Sequence, residues 1–264
     1  MKAITKSSTT GQITAFLRVR YWVVLAALSL AAGNGCSGPD SSSPGTSDAN
    51  STPPTATAAV APSGAPPKAV VSGENIKISG SGSGAVKIAA RQGGYLVNYR
   101  YKGFGLKLEA QSAFGAMNVI PGGQYAGPDG WTQFTDLTSF SSSGEQEYKV
   151  TATEPYEIEF VKLPVAQGAD VLPKTYNGKG LKVVGPLSLK AGPASYKVSC
   201  PDLKMAGFVA ELFDGASGQS KGMISLGTGA GVNETKKLDA PAAGNYLIKV
   251  NANGKAEWTI EVSQ

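Results

Sequence analysis

Trp258-Thr259-Ile260-Glu261-Val262 closes a hairpin that opens after Gly244, with Ile248-Lys249-Val250-Asn251-Ala252 as its first arm and Asn253-Gly254 as its turn. Apolar and polar residues alternate along both arms, which is the period of a strand with one buried face. Asn-Gly between two alternating runs is a strong hairpin signal. The same plan stands earlier in the chain. Gly144 precedes Tyr148-Lys149-Val150-Thr151-Ala152, Glu154-Pro155 makes the turn, and Tyr156-Glu157-Ile158-Glu159-Phe160 closes. In each closing arm an aromatic residue, an Ile and a third apolar residue share one face. Glu157, Glu159 and Glu261 share the other.

Working outward, the repeat extends to other segments. Gly94–Tyr101 alternates with Tyr95, Val97 and Tyr99 on one face, and Gly207–Asp214 does so with Phe208, Ala210 and Leu212. Ile76-Lys77-Ile78 and Leu181-Lys182-Val183 are read as matching starts. No segment sustains a helical period with caps. Gly accounts for 34 of the 264 residues, many of them between candidate strands. Short strands at regular spacing with Gly-rich turns point to sandwiches or barrels. The expectation is an all-β chain: two tandem antiparallel β-sandwich domains after a disordered tether. The first domain is placed at 70–163, a connector at 164–177 and the second domain at 178–264.

The Gly-x-Tyr … Trp-x-Ile-x-Val ending resembles the last hairpin of small jelly-roll domains appended to bacterial secreted proteins, of the pre-peptidase C-terminal type. The likeness covers about one hairpin in each half. It implies jelly-roll-like sandwiches acting as non-catalytic accessory or adhesive modules, and it assigns no functional residue here.

The N-terminus carries a different message. Lys2, Lys6, Arg18 and Arg20 precede an apolar run from Tyr21 to Ala32, followed by Gly33-Asn34-Gly35-Cys36. A basic region, a short apolar region and a small-residue exit are the layout of an export signal. The run is shorter than the roughly 20 apolar residues that span a bilayer. This stretch resembles the signal peptide of bacterial lipoproteins, with Gly35 and Cys36 at the last two motif positions and Gly33 where the family prefers Leu. The resemblance implies a signal peptide at 1–35, lipidation of Cys36 and attachment to the outer membrane or cell surface. A plain cleaved signal that leaves a secreted protein is the alternative. The tether, 36–69, is dominated by Ser, Pro, Thr, Ala and Gly. Such a composition buries too little apolar surface to offset its ordering entropy.

Charge and composition exclude several function classes. The full chain has 24 Lys+Arg and 19 Asp+Glu, net +5. Four of those basic residues lie within 1–35, which leaves 20 against 19, a balance of +1, from Cys36 onward. Nucleic-acid binding needs a basic face that displaces counterions, and no Lys/Arg run supplies one. The chain contains no His, which removes Ser-His-Asp and Cys-His catalysis and His-ligated zinc. Its two cysteines, Cys36 and Cys200, cannot make a four-Cys site, and Cys200 reads as an apolar strand residue. No metal or other cofactor is expected. Alternating Glu pairs such as Glu145/Glu147 and Glu157/Glu159 read as solvated strand faces rather than a hydrolase pair.

The candidate binding surface is the aromatic segment between Pro121 and Phe134. Gln124, Tyr125, Asp129, Trp131, Gln133 and Phe134 combine ring faces with amide and carboxylate groups, the chemistry that stacks on and hydrogen-bonds a sugar. Burial of Trp131 and Phe134 in the first core is the competing account. The functional expectation is therefore a non-enzymatic, membrane-anchored envelope protein whose partner is a glycan or a surface protein. Glycan binding through this loop is the alternative emphasis, and a secreted hydrolase stands third.

Overall fold

The computed structural model describes residues 64–264 except 104, 113–114, 119–128, 204–206, 230 and 253–255. Cys36, the expected signal and residues 36–63 of the expected tether, together with Gln124 and Tyr125, lie outside the described residues; the tether's expected end at 69 is corrected, because Lys68 and Ala69 already pair with Ser79 and Ile78.

The described chain is all-β. Its first part forms β1 (Lys68–Ser72), β2 (Asn75–Gly80), β3 (Gly84–Ala90), β4 (Gly93–Lys102), β5 (Lys107–Ser112), β6 (Gly115–Asn118), β7 (Trp131–Phe140), β8 (Gly144–Thr151) and β9 (Tyr156–Lys162). One sheet has the order β1-β2-β9-β4-β7 and the other β3-β8-β5-β6. The second part forms β10 (Lys174–Lys179), β11 (Leu181–Leu189), β12 (Gly192–Cys200), β13 (Gly207–Asp214), β14 (Ser220–Thr228), β15 (Val232–Ala240), β16 (Gly244–Ala252) and β17 (Glu257–Ser263). Its sheets are ordered β10-β17-β12-β15 and β11-β16-β13-β14.

Shifting strand numbers by eight turns β2-β9-β4-β7 into β10-β17-β12-β15, and β3-β8-β5-β6 into β11-β16-β13-β14. Numbered within each half, the orders are 1-8-3-6 and 2-7-4-5. That is the eight-stranded, two-sheet jelly roll, with β1 added at one edge of the first. The chain is two tandem antiparallel sandwiches of one topology.

Each sandwich closes over its own core. Ile76, Ile78, Tyr95, Val97, Tyr99, Tyr101, Leu108, Tyr148, Val150, Tyr156, Ile158 and Phe160 fill the first. Tyr196, Val198, Cys200, Phe208, Leu212, Ile248, Val250, Trp258, Ile260 and Val262 fill the second. The two strand pairs expected to be hairpins, β8 with β9 and β16 with β17, occupy equivalent places but are not hairpins: the members of each pair lie in opposite sheets and bond other strands, because alternation fixes a buried face and not a partner.

Two matches within the repeat are corrected. β4 corresponds to β12, not to the strand at Gly207–Asp214, which is the counterpart of β5. Ile76-Lys77-Ile78 lies in β2, whose counterpart is β10, whereas Leu181-Lys182-Val183 begins β11, the counterpart of β3. Every half-buried strand shows the same period of two, so alternation identifies a strand without telling which one it is. The stretch read as a connector, 164–177, holds the start of β10, whose Lys174–Lys179 pairs with β17. This strand sits at a sheet edge and buries only Tyr176, so its pattern is weak.

The sandwiches meet along the edge strands β7 and β11. Leu96 and Leu137 of the first sandwich, with Leu163 and Val165 just after its last strand, pack with Val183, Leu247 and Phe213 of the second in a small separate apolar cluster. Thr135 Oγ1 accepts from the Val183 N–H (2.6 Å) and donates to the Val183 carbonyl (3.3 Å). The Lys249 ammonium pairs with Asp136, a charged residue of which only 8% is exposed.

Candidate functional site

Where the sandwiches diverge from this joint, they leave an open groove of about 650 Å³. That volume falls in the range of small-molecule and oligosaccharide-sized clefts.

The floor is the outer face of β2, β9, β4 and β7. Strand register places Lys77, Glu159, Asn98 and Thr135 in one row across it, and Ser79, Glu157, Arg100 and Gln133 in the next. Lys102 and Trp131 face one another beyond them. All belong to the polar half of the alternation whose apolar half builds the first core, so the residues that fold the sandwich also fix the spacing of the groove.

The wall is the turn from β10 to β11, which presents Lys179, Leu181 and Lys182. Gly180 has φ +61°, a conformation that favours glycine. Its carbonyl accepts from the Trp258 indole N–H at 3.0 Å, and its N–H donates to the Ala256 carbonyl at 3.1 Å. A β-carbon at Gly178 would collide with the Trp258 ring. Trp258 thus does more than fill the second core: it holds the turn that walls the groove.

The electrostatics are mixed. Lys77 Nζ lies 3.2 Å from Glu157 Oε2, and Arg100 Nη2 lies 3.5 Å from Glu157 Oε1. The Lys77 hydrogen bond, opposed by partial burial and helped by the charges of Lys77 and Arg100, holds the Glu157 carboxyl below the usual carboxylate range. Asn98 Nδ2 donates to Glu159 Oε2 at 3.2 Å. The Arg100 guanidinium carbon stands 4.5 Å from the Trp131 ring centroid, and Lys102 Nζ stands 5.3 Å from it. These are cation–π distances, and they orient Arg100 across the floor. Lys179 pairs with Glu257 at 3.3 Å. Among the described residues, Lys182 has no carboxylate partner.

The two groove carboxylates do not form the pair used in glycoside hydrolysis. Glycoside hydrolysis needs one protonated and one ionised carboxyl on opposite sides of the scissile bond. Glu157 and Glu159 point the same way from one strand, and Glu157 is held ionised. Among the described residues, no three His, Cys, Asp or Glu side chains gather as a metal site.

The residues proposed from sequence separate. Trp131, Gln133 and Phe134 lie on β7 rather than in a loop, with Asp129 just before it. Asp129 Oδ1 accepts from the Trp131 N–H at 3.1 Å and shapes the entry to the strand. Gln133 lines the groove, and Trp131 is half-buried beside it under Arg100. Phe134 also borders the groove, and its half-buried ring packs against Tyr99, centroids 5.3 Å apart, at the first core. Tyr95, Tyr99 and Tyr101 are core residues. The sequence reading missed Lys77, Asn98, Arg100, Lys179 and Lys182 as groove residues, and it took Glu157 and Glu159 for plain solvated positions. Their common signal was the outward phase of alternation, but sequence does not tell which outward face a second domain will roof.

No protein-family model matches the chain, and no curated protein matches it. Among solved structures, it is similar to the conserved protein of unknown function PA5104 from Pseudomonas aeruginosa PAO1, at 13% identity over 72% of this chain and 81% of that one, with a TM-score of 0.22. A superposition that poor contributes nothing to the functional reading.

Proposed function

We propose that this chain is an exported lipoprotein, anchored through Cys36 at the outer membrane or cell surface, and that it acts without catalysis by binding an envelope or surface glycan. One observation carries the binding part: the inter-sandwich groove, whose amides, cations and carboxylates are fixed by strand register and by the Trp258-held turn, with Trp131 beside them. Glycan sites combine an aromatic face with convergent hydrogen-bonding groups held on a rigid frame. The anchoring part is supported by the basic–apolar–Cys36 order of the N-terminus.

Two measurements test the two parts separately. Cys36→Ser should move the protein from the membrane fraction to the soluble fraction. Unchanged partitioning would mean that Cys36 is not what anchors the protein. Binding is tested by titrating the purified full chain with a panel of neutral and acidic oligosaccharides while following tryptophan fluorescence. Gln133→Ala should weaken any complex that forms, and silence across the whole panel would refute the glycan reading.

A further inference from the structure

We infer that the groove is built for an acidic sugar, with Arg100 and Lys182 receiving the anionic group and Glu159 and Asn98 receiving hydroxyls. This rests on the groove being a glycan site, and it names the ligand class.

The charge inventory points this way. Four cations line the groove, Lys77, Arg100, Lys179 and Lys182, against two carboxylates, Glu157 and Glu159. Glu157 is already occupied by Lys77 and Arg100, and Lys179 by Glu257. What remains available to a ligand is Lys182 on the wall and the rest of the guanidinium fork on the floor. Arg100 meets Glu157 through Nη2 at 3.5 Å, a long contact, and its side chain is 44% exposed. Trp131 beneath it and Glu157 beside it hold the fork in place, so little rotamer freedom is lost when it meets a planar or tetrahedral anion.

The acidic groups in the same groove decide between ligand classes. An acidic peptide would bring side-chain carboxylates, which only accept, against Glu157 and Glu159, and would have as donors only its backbone N–H groups, one to a residue. A sugar brings hydroxyls, which donate. Glu159 accepts from Asn98 through Oε2, and Oε1 has no partner among the described residues. A groove that offers both cations and a receptive carboxylate is matched by a ligand that carries both anions and hydroxyl donors. Uronic acids and sulfated sugars are such ligands.

The test uses the full chain and four probes: an oligogalacturonate (carboxylate), a heparin-type oligosaccharide (sulfate), an uncharged chito-oligosaccharide and polyglutamate. Calorimetry is run at low and high salt on the native chain, Arg100→Gln, Lys182→Gln and Lys237→Gln, the last lying on β15 outside the groove. The expected result is binding to one or both acidic sugars that weakens as salt rises. Arg100→Gln and Lys182→Gln should each weaken it by about tenfold, the scale of a charge-assisted hydrogen bond, and Lys237→Gln should leave it unchanged. Preference between galacturonate and heparin tells carboxylate from sulfate. Lys182 is exposed on the wall, so its variant reports on binding without disturbing a core. Equal binding of the uncharged sugar, insensitive to both substitutions, would overturn the acidic assignment and leave the groove a glycan site. Polyglutamate binding as tightly as the acidic sugars, with the same response to the variants, would overturn the sugar assignment. Failure of every sugar to bind would overturn this inference together with the glycan reading beneath it.

Discussion

Tyrosine is the residue through which the two cores answer to pH. The chain has ten tyrosines, and the eight that are described, Tyr95, Tyr99, Tyr101, Tyr148, Tyr156, Tyr176, Tyr196 and Tyr246, are all buried. Burial pushes the phenols of Tyr148, Tyr156 and Tyr196 up to about 12. Tyr148 donates to Gln146 Oε1 at 3.0 Å and Tyr156 to the Gly82 carbonyl at 3.4 Å, bonds that only the neutral phenol makes as donor. In the unfolded chain the same groups titrate near 10. Each is therefore raised in the folded state, so the stability it contributes is complete below about pH 10 and is lost as pH climbs through 12. In that window the unfolded chain has already released the proton, and each tyrosine costs the fold about 1.4 kcal/mol per pH unit. The expected outcome of an alkaline titration is a single transition above pH 10 in which tyrosinate absorbance and loss of the strand circular dichroism rise together. Buried tyrosines that ionise near pH 10 while the strand signal stays intact would contradict it.

At the scale of elements, the joint between β4, β7, β11 and β16 is where a single atom decides the arrangement. A β-carbon on Gly94 of β4 would stand 2.5 Å from the Ser217 carbonyl oxygen and 3.0 Å from Leu163 Cδ1. The turn after β13, pinned by Asp214 Oδ1 accepting from the Ala216 and Ser217 N–H groups, therefore reaches the first sandwich only because Gly94 has no side chain. Gly94→Val should push the turn away and leave each core intact, at a cost of about 1–3 kcal/mol typical of overpacking. Hydrogen exchange should accelerate in β7 and β11 at their facing edges, while β8 and β17 stay protected; unchanged protection at β7 and β11 would mean that the close approach is not what seats the sandwiches. This joint also marks what was legible in the sequence. The strands, the equivalence of the two closing strands in both halves and the sandwich class follow from alternation, because each inner residue must meet the facing sheet; that those closing strands face each other across the core instead of pairing as a hairpin does not, because a turn between two alternating runs reads the same in either case. Leu96 and Leu137 broke that alternation by placing bulk on the outward face, which is the mark of a strand covered on both sides. Their partners Val183, Leu247 and Phe213 lie many residues away, and no local period connects them. The groove inherits this limit: Gln133 and Trp131 could be proposed from their chemistry, but Arg100 and Lys182 become neighbours of one site only once the joint exists.

The whole molecule poses the question of whether each jelly roll stands alone. Both carry a full set of eight strands and a separate core, yet Asp136–Lys249, Thr135–Val183 and the Leu96–Leu247 cluster tie them into one compact unit. The boundary matters for the answer. β10 supplies an edge of the second sandwich, and Asp170 before it accepts from Lys174 Nζ at 2.8 Å and from Tyr176 Oη at 3.0 Å, while its backbone bonds Pro186 and Ser188. A fragment spanning 168–264 keeps all of this and should melt cooperatively, though below the full chain because Val183, Leu247 and Phe213 lose their cover. A fragment spanning 180–264 lacks β10, leaves the β17 edge unpaired beside Trp258, and should be molten or insoluble. Calorimetry of the two fragments against the full chain checks this, and a molten 168–264 fragment would mean that the two rolls share one folding unit. The longer fragment also separates fold from function. It retains Lys179 and Lys182 on an intact wall but has none of the floor, so it should fold and yet bind no ligand of the groove. Ligand binding that survives in the folded fragment would place the site on the second sandwich alone and remove the joint from the mechanism.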